Sequence, residues 1–135
     1  MANFTLEIVT PIGKKFSKEV EFLKVRTTEG DMGILPNHAP FVAALKPEEI
    51  KIRIEKGNEE LYYISNGFIE INNNKVTIIV DEALKPEEID IETAKKEVEL
   101  AQEKLKKLNE DKQIMLIQKS LQDALMKVKI AERLL

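Results

Sequence analysis

Past Pro86 the chain contains neither glycine nor proline, and at the same point its apolar residues stop recurring in twos and begin recurring in threes and fours. Nothing else narrows the fold as much. A strand turns alternate side chains to one face, whereas a helix returns to the same face every 3.6 residues. After the break Ile91, Ala94, Val98, Ala101, Leu105 and Leu108 form one stripe. Ile114, Ile117, Leu121, Ala124, Val128, Ala131 and Leu135 form a second at the same heptad spacing. The stripes lose phase near Asn109-Glu110-Asp111, which predicts a bend there, and Asp90 is placed to cap the first helix. The expected product is a C-terminal two-helix antiparallel hairpin over residues 85–135 with its apolar seams facing each other.

Before the break the period is two: Phe4-x-Leu6-x-Ile8, Val20-x-Phe22, Ile50-x-Ile52-x-Ile54, Ile69-x-Ile71 and Val76-x-Ile78-x-Val80. Breakers part these runs at Pro11 and Gly13, the Gly30-Asp31-Met32-Gly33 word, Pro47, Gly57-Asn58, Asn66-Gly67 and Asn72-Asn73-Asn74. Short alternating runs with regular turn signals predict an N-terminal antiparallel β-sandwich over residues 1–84. The hexapeptide Leu-Lys-Pro-Glu-Glu-Ile occurs twice, at 45–50 and 84–89, entering a two-residue period once and a heptad once. A duplicated domain would repeat more than six residues, so both copies read as polar turn words.

At 135 residues the chain has room for one domain and a small appendage, and its net charge of −3 does not favour nucleic acid or an anionic membrane as a partner. With no cysteine, disulfides and thiol catalysis are excluded. The start, MANFTLEIVT, alternates rather than presenting a basic head and an apolar run, so it is not expected to be a signal peptide. One histidine and no cysteine supply no paired metal-ligand spacing, and no phosphate-loop or dinucleotide glycine word is present. His38, between two prolines, reads as a structural or contact imidazole rather than a catalytic one. Tyr62-Tyr63 reads as one inward and one outward packing residue.

The hairpin is charged unevenly. Residues 87–111 carry five lysines against nine acids, while the second arm carries Lys112, Lys119, Lys127, Lys129 and Arg133 against Asp123 and Glu132. The arms are expected to attract, though exposed pairs contribute only about 0–1 kcal/mol each. Met115, Leu116, Met126, Ile130 and Leu134 lie off the seam. Either they pack on the sandwich or they form a second interface used when the arm leaves the hairpin. Burying a seam of six or seven side chains gives roughly 10 kcal/mol as an upper bound. Two packings of similar energy can be exchanged by a partner.

Residues 30–41, GDMGILPNHAPF, concentrate two of the five glycines, two of the five prolines and the histidine. As a tight connection between strands this explains a sharp shape, with Gly30 and Gly33 free to take unusual φ and Pro36 and Pro40 fixing theirs. It does not explain the cluster of Met32, Ile34, Leu35 and Phe41 beside Asp31. A stiff apolar loop with one acid is suited to docking.

GDMGILPNHAPFVAALKP, preceded by Val25-Arg26-Thr27-Thr28-Glu29, resembles the signature of the epsilon subunit of the bacterial and chloroplast F-type ATP synthase. Tyr63 to Ile71 and Val76 to Ala83 resemble that family's next blocks, in the right order. The resemblance implies a ten-stranded β-sandwich, a C-terminal helical hairpin and no catalysis by this chain. It implies a place in the central stalk, with the gamma subunit, the c-subunit ring and the alpha/beta catalytic hexamer as partners, peripheral on the cytoplasmic face of the bacterial plasma membrane. Asp31, Pro36, His38, Ala39 and Pro40 would meet the ring. The hairpin would open to inhibit ATP hydrolysis, with Lys112, Lys119 and Lys127 as contacts to the catalytic subunits.

Some members of that family bind ATP on the folded hairpin through an I-D-x-x-R-A word. Here the word is Ile89-Asp90-Ile91-Glu92-Thr93-Ala94, with Thr93 in place of the arginine. Leu100, Asp123 and Lys127 stand where basic ligands are expected. A site on Asp90, Ala94 and Lys127 lacks guanidinium forks, so weak or absent ATP binding and no cofactor are expected. The alternative to the rotor subunit is a free-standing ligand-binding β-sandwich with a helical dimerisation hairpin.

Overall fold

The computed structural model describes residues 2–55, 57–107 and 111–133, and of residues 111–113 only the backbone. They divide into two compact units, Met1–Leu84 and Lys85–Leu135.

The first unit contains ten strands among the described residues. These are β1 (Phe4–Thr10), β2 (Gly13–Val20), β3 (Phe22–Thr27), β4 (Gly30–Ile34), β5 (Phe41–Leu45), β6 (Glu48–Glu55), β7 (Asn58–Ile64), β8 (Gly67–Asn72), β9 (Lys75–Val80) and β10 (Ala83–Leu84). They pair in the order β10-β7-β6-β3-β5-β8-β9-β1-β2, with β4 on β3. The β3–β5 link is one residue pair, Thr27 with Leu45, and there the sheet folds over. Phe16 of β2 and Tyr62 of β7, near opposite ends of that order, meet edge to face with ring centroids 5.9 Å apart. The alternation predicted the inside: Phe4, Leu6, Ile8, Ile50, Ile52, Ile69, Ile71, Val76, Ile78 and Val80 share one buried cluster. The result is a β-sandwich, antiparallel except where β1 runs parallel to β9.

Several local expectations need correction. Gly30–Ile34 is a strand, not a breaker: Thr28 and Glu29 make the turn, and β4 pairs with β3 from Thr27↔Gly30 to Leu23↔Ile34. Thr27 holds that turn, its hydroxyl donating to the Gly30 carbonyl at 3.0 Å and accepting the Glu29 amide at 3.1 Å. Gly30 does take a positive φ of 125°. Gly33 does not; a Cβ there would meet the Phe22 ring at 3.1 Å, so its constraint is space. Val20 and Phe22 belong to two strands, parted by a bend at Glu21. Tyr62 and Tyr63 are both buried, so the outward tyrosine is not exposed.

In the second unit a short 3-10 helix, Pro86–Glu88, leads into α1 (Ile91–Lys107) and α2 (Asp111–Glu132). Of the bend expected at 109–111, residues 109 and 110 lie outside the described residues, as do 108, 134 and 135, and Asp111 is the first residue of α2. Lys95, near the start of α1, lies 3.8 Å from Glu132 at the end of α2, which makes the hairpin antiparallel. That pair places the base on the first arm and the acid on the second, the reverse of the bulk charge argument. Among the described seam positions, Ala94, Ala101, Ala124 and Ala131 are buried, whereas Val98, Leu105, Ile117, Leu121 and Val128 are half-buried. The seam therefore stabilises the hairpin by less than the upper bound for full burial. On the back of α2, Met115 and Leu116 are exposed, Met126 is half-buried and Ile130 is buried.

Candidate functional site

The connection from β4 to β5, residues 35–40, is the stiff apolar segment. Pro36 and Pro40 lack amide hydrogens, and between them Asn37 takes a left-handed φ of 63°. Leu35 is 61% exposed. Pro36 and His38 are half-buried; Ala39 and Pro40 are exposed. The His38 ring donates from Nδ1 to the Ala39 carbonyl at 2.7 Å, which puts the proton of the neutral ring on Nδ1. The same ring meets Phe41 edge to face, 6.0 Å between centroids.

The loop is tied down from outside. β8 and β9 join through a two-residue turn, with Asn72 paired to Lys75 and Asn73 and Asn74 at φ 52° and 59°. Two successive positive φ values make a type I′ turn, for which asparagine is among the few suitable non-glycine residues. From there the Asn74 side-chain oxygen accepts the Asn37 amide at 2.7 Å, and its NH2 donates to the Asn3 carbonyl at 2.8 Å. The backbone adds a third tie, Thr5 amide to Asn74 carbonyl at 3.2 Å.

Asp31 sits at the other end of β4, roughly 10 Å along the strand from Ile34. It is not a bare acid. Arg26, directly opposite on β3, donates from Nε to Oδ1 at 2.8 Å and from its second terminal nitrogen to Oδ2 at 3.4 Å. The same guanidinium reaches Glu48 at 3.2 Å. Hydrogen bonding by Arg26 holds the Asp31 carboxyl below the usual value. Both partners are about half exposed, so the pair orients the acid more than it stabilises the sheet. Arg26 was legible in principle: a two-residue turn sets residues five apart opposite each other, once Gly30–Ile34 is taken as a strand.

The sandwich also carries an apolar outer face with no sequence motif. On the side away from the core, Ala44 stands opposite Phe68, Phe68 opposite Ile79 and Ile79 opposite Val9 across four strands. Val42 lies one pair further along β5. Val42, Phe68 and Ile79 are 68%, 59% and 52% exposed. Beside this row Glu7 is bracketed by Lys75 at 3.0 Å and Lys14 at 3.1 Å, which lower its carboxyl. Contiguous exposed apolar side chains on a sandwich that has its own core form a candidate contact surface.

On the hairpin, Asp90 is engaged as the helix cap. Its carboxylate accepts the Thr93 amide at 3.2 Å and the Thr93 hydroxyl at 3.0 Å, and these bonds lower its carboxyl. Ala94 is buried. Lys119 is exposed, Lys127 is half-buried, and the Lys112 side chain lies outside the described residues. Among the described residues no cluster of acids and histidine suited to a metal is present, and no helix is long and apolar enough to cross a membrane.

Residues 3–86 match the family model described as ATP synthase, Delta/Epsilon chain, beta-sandwich domain. The sodium ion specific ATP synthase epsilon chain of Propionigenium modestum is 53% identical over 133 residues, covering 98% of this chain and 96% of that one. The ATP synthase epsilon chain of Geotalea daltonii is 39% identical over 127 residues, covering 93% and 91%. Among solved structures, a chain of the Euglena gracilis mitochondrial ATP synthase, from an OSCP/F1/c-ring assembly, superposes with a TM-score of 0.73 at 29% identity, covering 99% of this chain and 80% of that one. Covered almost end to end by such relatives, this chain, a β-sandwich followed by a helical hairpin, belongs to the ATP synthase epsilon chain family.

Proposed function

We propose that this chain is a non-catalytic rotor subunit that couples the catalytic sector of an ATP synthase to its membrane c-ring and brakes ATP hydrolysis through its C-terminal helices. The observation that carries the reading is the outer face of the sandwich: a unit with a closed core leaves Val42, Phe68 and Ile79 in the open. Those side chains are where the gamma subunit seats. The loop around Pro36, His38, Ala39 and Pro40, with Asp31 at the far end of its strand, meets the ring. Work then takes place at the cytoplasmic face of the bacterial plasma membrane, and residues 1–84 act as the docking part with residues 85–135 as the regulatory one.

The brake rests on the hairpin. Its seam closes mainly on alanines, so opening it exposes modest apolar area, and α2 offers Met115 and Leu116 with Lys119 to an acidic surface. Lys127 and Lys112 extend that basic arm. ATP binding at Asp90, Ala94 and Lys127 is weak or absent in this reading, because the Asp90 carboxylate already caps α1 and Thr93 stands where a guanidinium is needed. Calorimetry with ATP on the isolated chain tests this; a micromolar constant would overturn it.

Truncation after Leu84 in the assembled complex tests the whole. Hydrolysis should rise while assembly survives. Unchanged hydrolysis removes the brake, and loss of assembly moves docking onto the helices. Replacing Phe68 and Ile79 with serine should leave a folded chain that no longer co-purifies with gamma.

A further inference from the structure

We propose that Asn74 is a positioning residue for the docking loop, fixing the direction in which residues 35–40 face the ring; this rests on the ring-docking reading above. The position asks two things of its side chain. The backbone at φ 59° excludes most residues other than glycine, asparagine and aspartate. The site also needs an acceptor toward the Asn37 amide and a donor toward the Asn3 carbonyl, at 2.7 and 2.8 Å. Glycine meets the first demand alone. Aspartate meets the first and supplies the acceptor without the donor. Asparagine meets all of it.

The consequence lies in the loop. Its two prolines stiffen φ at positions 36 and 40 but remove two amides that would otherwise anchor it. The Asn37 amide, at the left-handed residue between them, is the one Asn74 holds. One side chain thus joins three pieces of chain distant in sequence: the loop, the β8–β9 turn and the entry to β1. The turn in turn is rigid because it is type I′ and closes a paired hairpin. A loop fixed at its middle loses little freedom on docking, which is where affinity is otherwise spent.

The test uses the full chain as Asn74→Gly and Asn74→Asp. Hydrogen exchange of the isolated chain should show the Asn37 amide exchanging about tenfold faster or more in Asn74→Gly, with β1, β8 and β9 amides unchanged. Reconstituted with the catalytic sector, that variant should bind ring-containing membranes about 3- to 10-fold more weakly, the range expected for one lost hydrogen bond. Its affinity for the soluble sector should not move. Asn74→Asp should lie between wild type and Asn74→Gly in both measurements. Unchanged exchange at Asn37 in Asn74→Gly overturns the staple itself. Faster exchange with unchanged ring affinity overturns its positioning role. If His38→Ala also leaves ring affinity untouched, the ring-docking reading fails instead, and the staple stands as a structural tie only.

Discussion

The sandwich and the hairpin spend their apolar residues differently. Inside the sandwich, Phe4, Leu6, Ile8, Ile50, Ile52, Ile69 and Ile78 are almost wholly removed from solvent, each by neighbours far away in sequence. In the hairpin, among the described seam residues, the large ones are half-buried and the buried ones are four alanines. A fully buried leucine or isoleucine contributes about 1.5–3 kcal/mol and an alanine much less. One unit is therefore a body that holds its shape. The other is a pair of rods whose large seam side chains already stand half-open, so parting them exposes less new surface than opening the sandwich would.

The two can be watched separately. Both tyrosines, Tyr62 and Tyr63, are on β7, so tyrosine signals follow the sandwich, while ellipticity at the helical band follows the hairpin. The largest expected effect is Gly67→Ala. A Cβ there would strike the Ile79 carbonyl oxygen and stand 2.8 Å from Val80 Cγ1. The tyrosine transition should lose about 3 kcal/mol in denaturant titration. If the helical signal falls in step, the two units are one cooperative body and the contrast is wrong. Next comes Ala124→Leu, which overfills the seam and should destabilise the hairpin by about 2 kcal/mol with the tyrosine transition in place. In the complex it should also favour the opened hairpin and lower hydrolysis. Third, Asn73→Val puts a β-branched residue at φ 52°, and the sandwich should lose about 1 kcal/mol.

Acid is the smallest lever and acts on both units. Asp90 is held below its ordinary value first by the Thr93 amide and then by the Thr93 hydroxyl. Because the folded carboxyl titrates lower than the unfolded one, the cap contributes fully above roughly pH 4 and fades as pH falls through the lowered value. Asp31, held down by Arg26, and Glu7, held down by Lys75 and then Lys14, behave in the same sense in the sandwich. Asp90→Asn keeps a capping oxygen but does not titrate, so it should flatten the acid response of the helical signal and leave that of the tyrosines alone. An equal change in both would mean that the cap is not what acid removes.

Sequence reasoning reached the β-sandwich, the helical hairpin, the buried faces of β1, β6, β8 and β9 and the Asp90 cap, because periodicity and capping are local physics. It missed β4, since two glycines in five residues look like a turn until β3 supplies the partner strand. It missed Arg26 for the same reason, and it read Asn72-Asn73-Asn74 only as a breaker. The apolar row of Ala44, Phe68, Ile79 and Val9 could not be read at all, because strand register across four chain segments decides which outward residues are neighbours. The repeated hexapeptide makes the division plain. At 45–50, Leu-Lys-Pro-Glu-Glu-Ile leaves β5 and extends into β6, with Glu48 and Glu49 inside the strand. At 84–89 it leaves β10 and curls into a 3-10 helix, the Glu88 carboxylate accepting the Lys85 amide at 2.9 Å. The sequence alone determined the change of period at Pro86 and the hidden residues of β1, β6, β8 and β9. Only the tertiary structure decided what those six residues become, because Tyr62 and Tyr63 of β7 offer the first copy a strand to pair with, whereas the second copy leads into a run whose backbone closes its own hydrogen bonds.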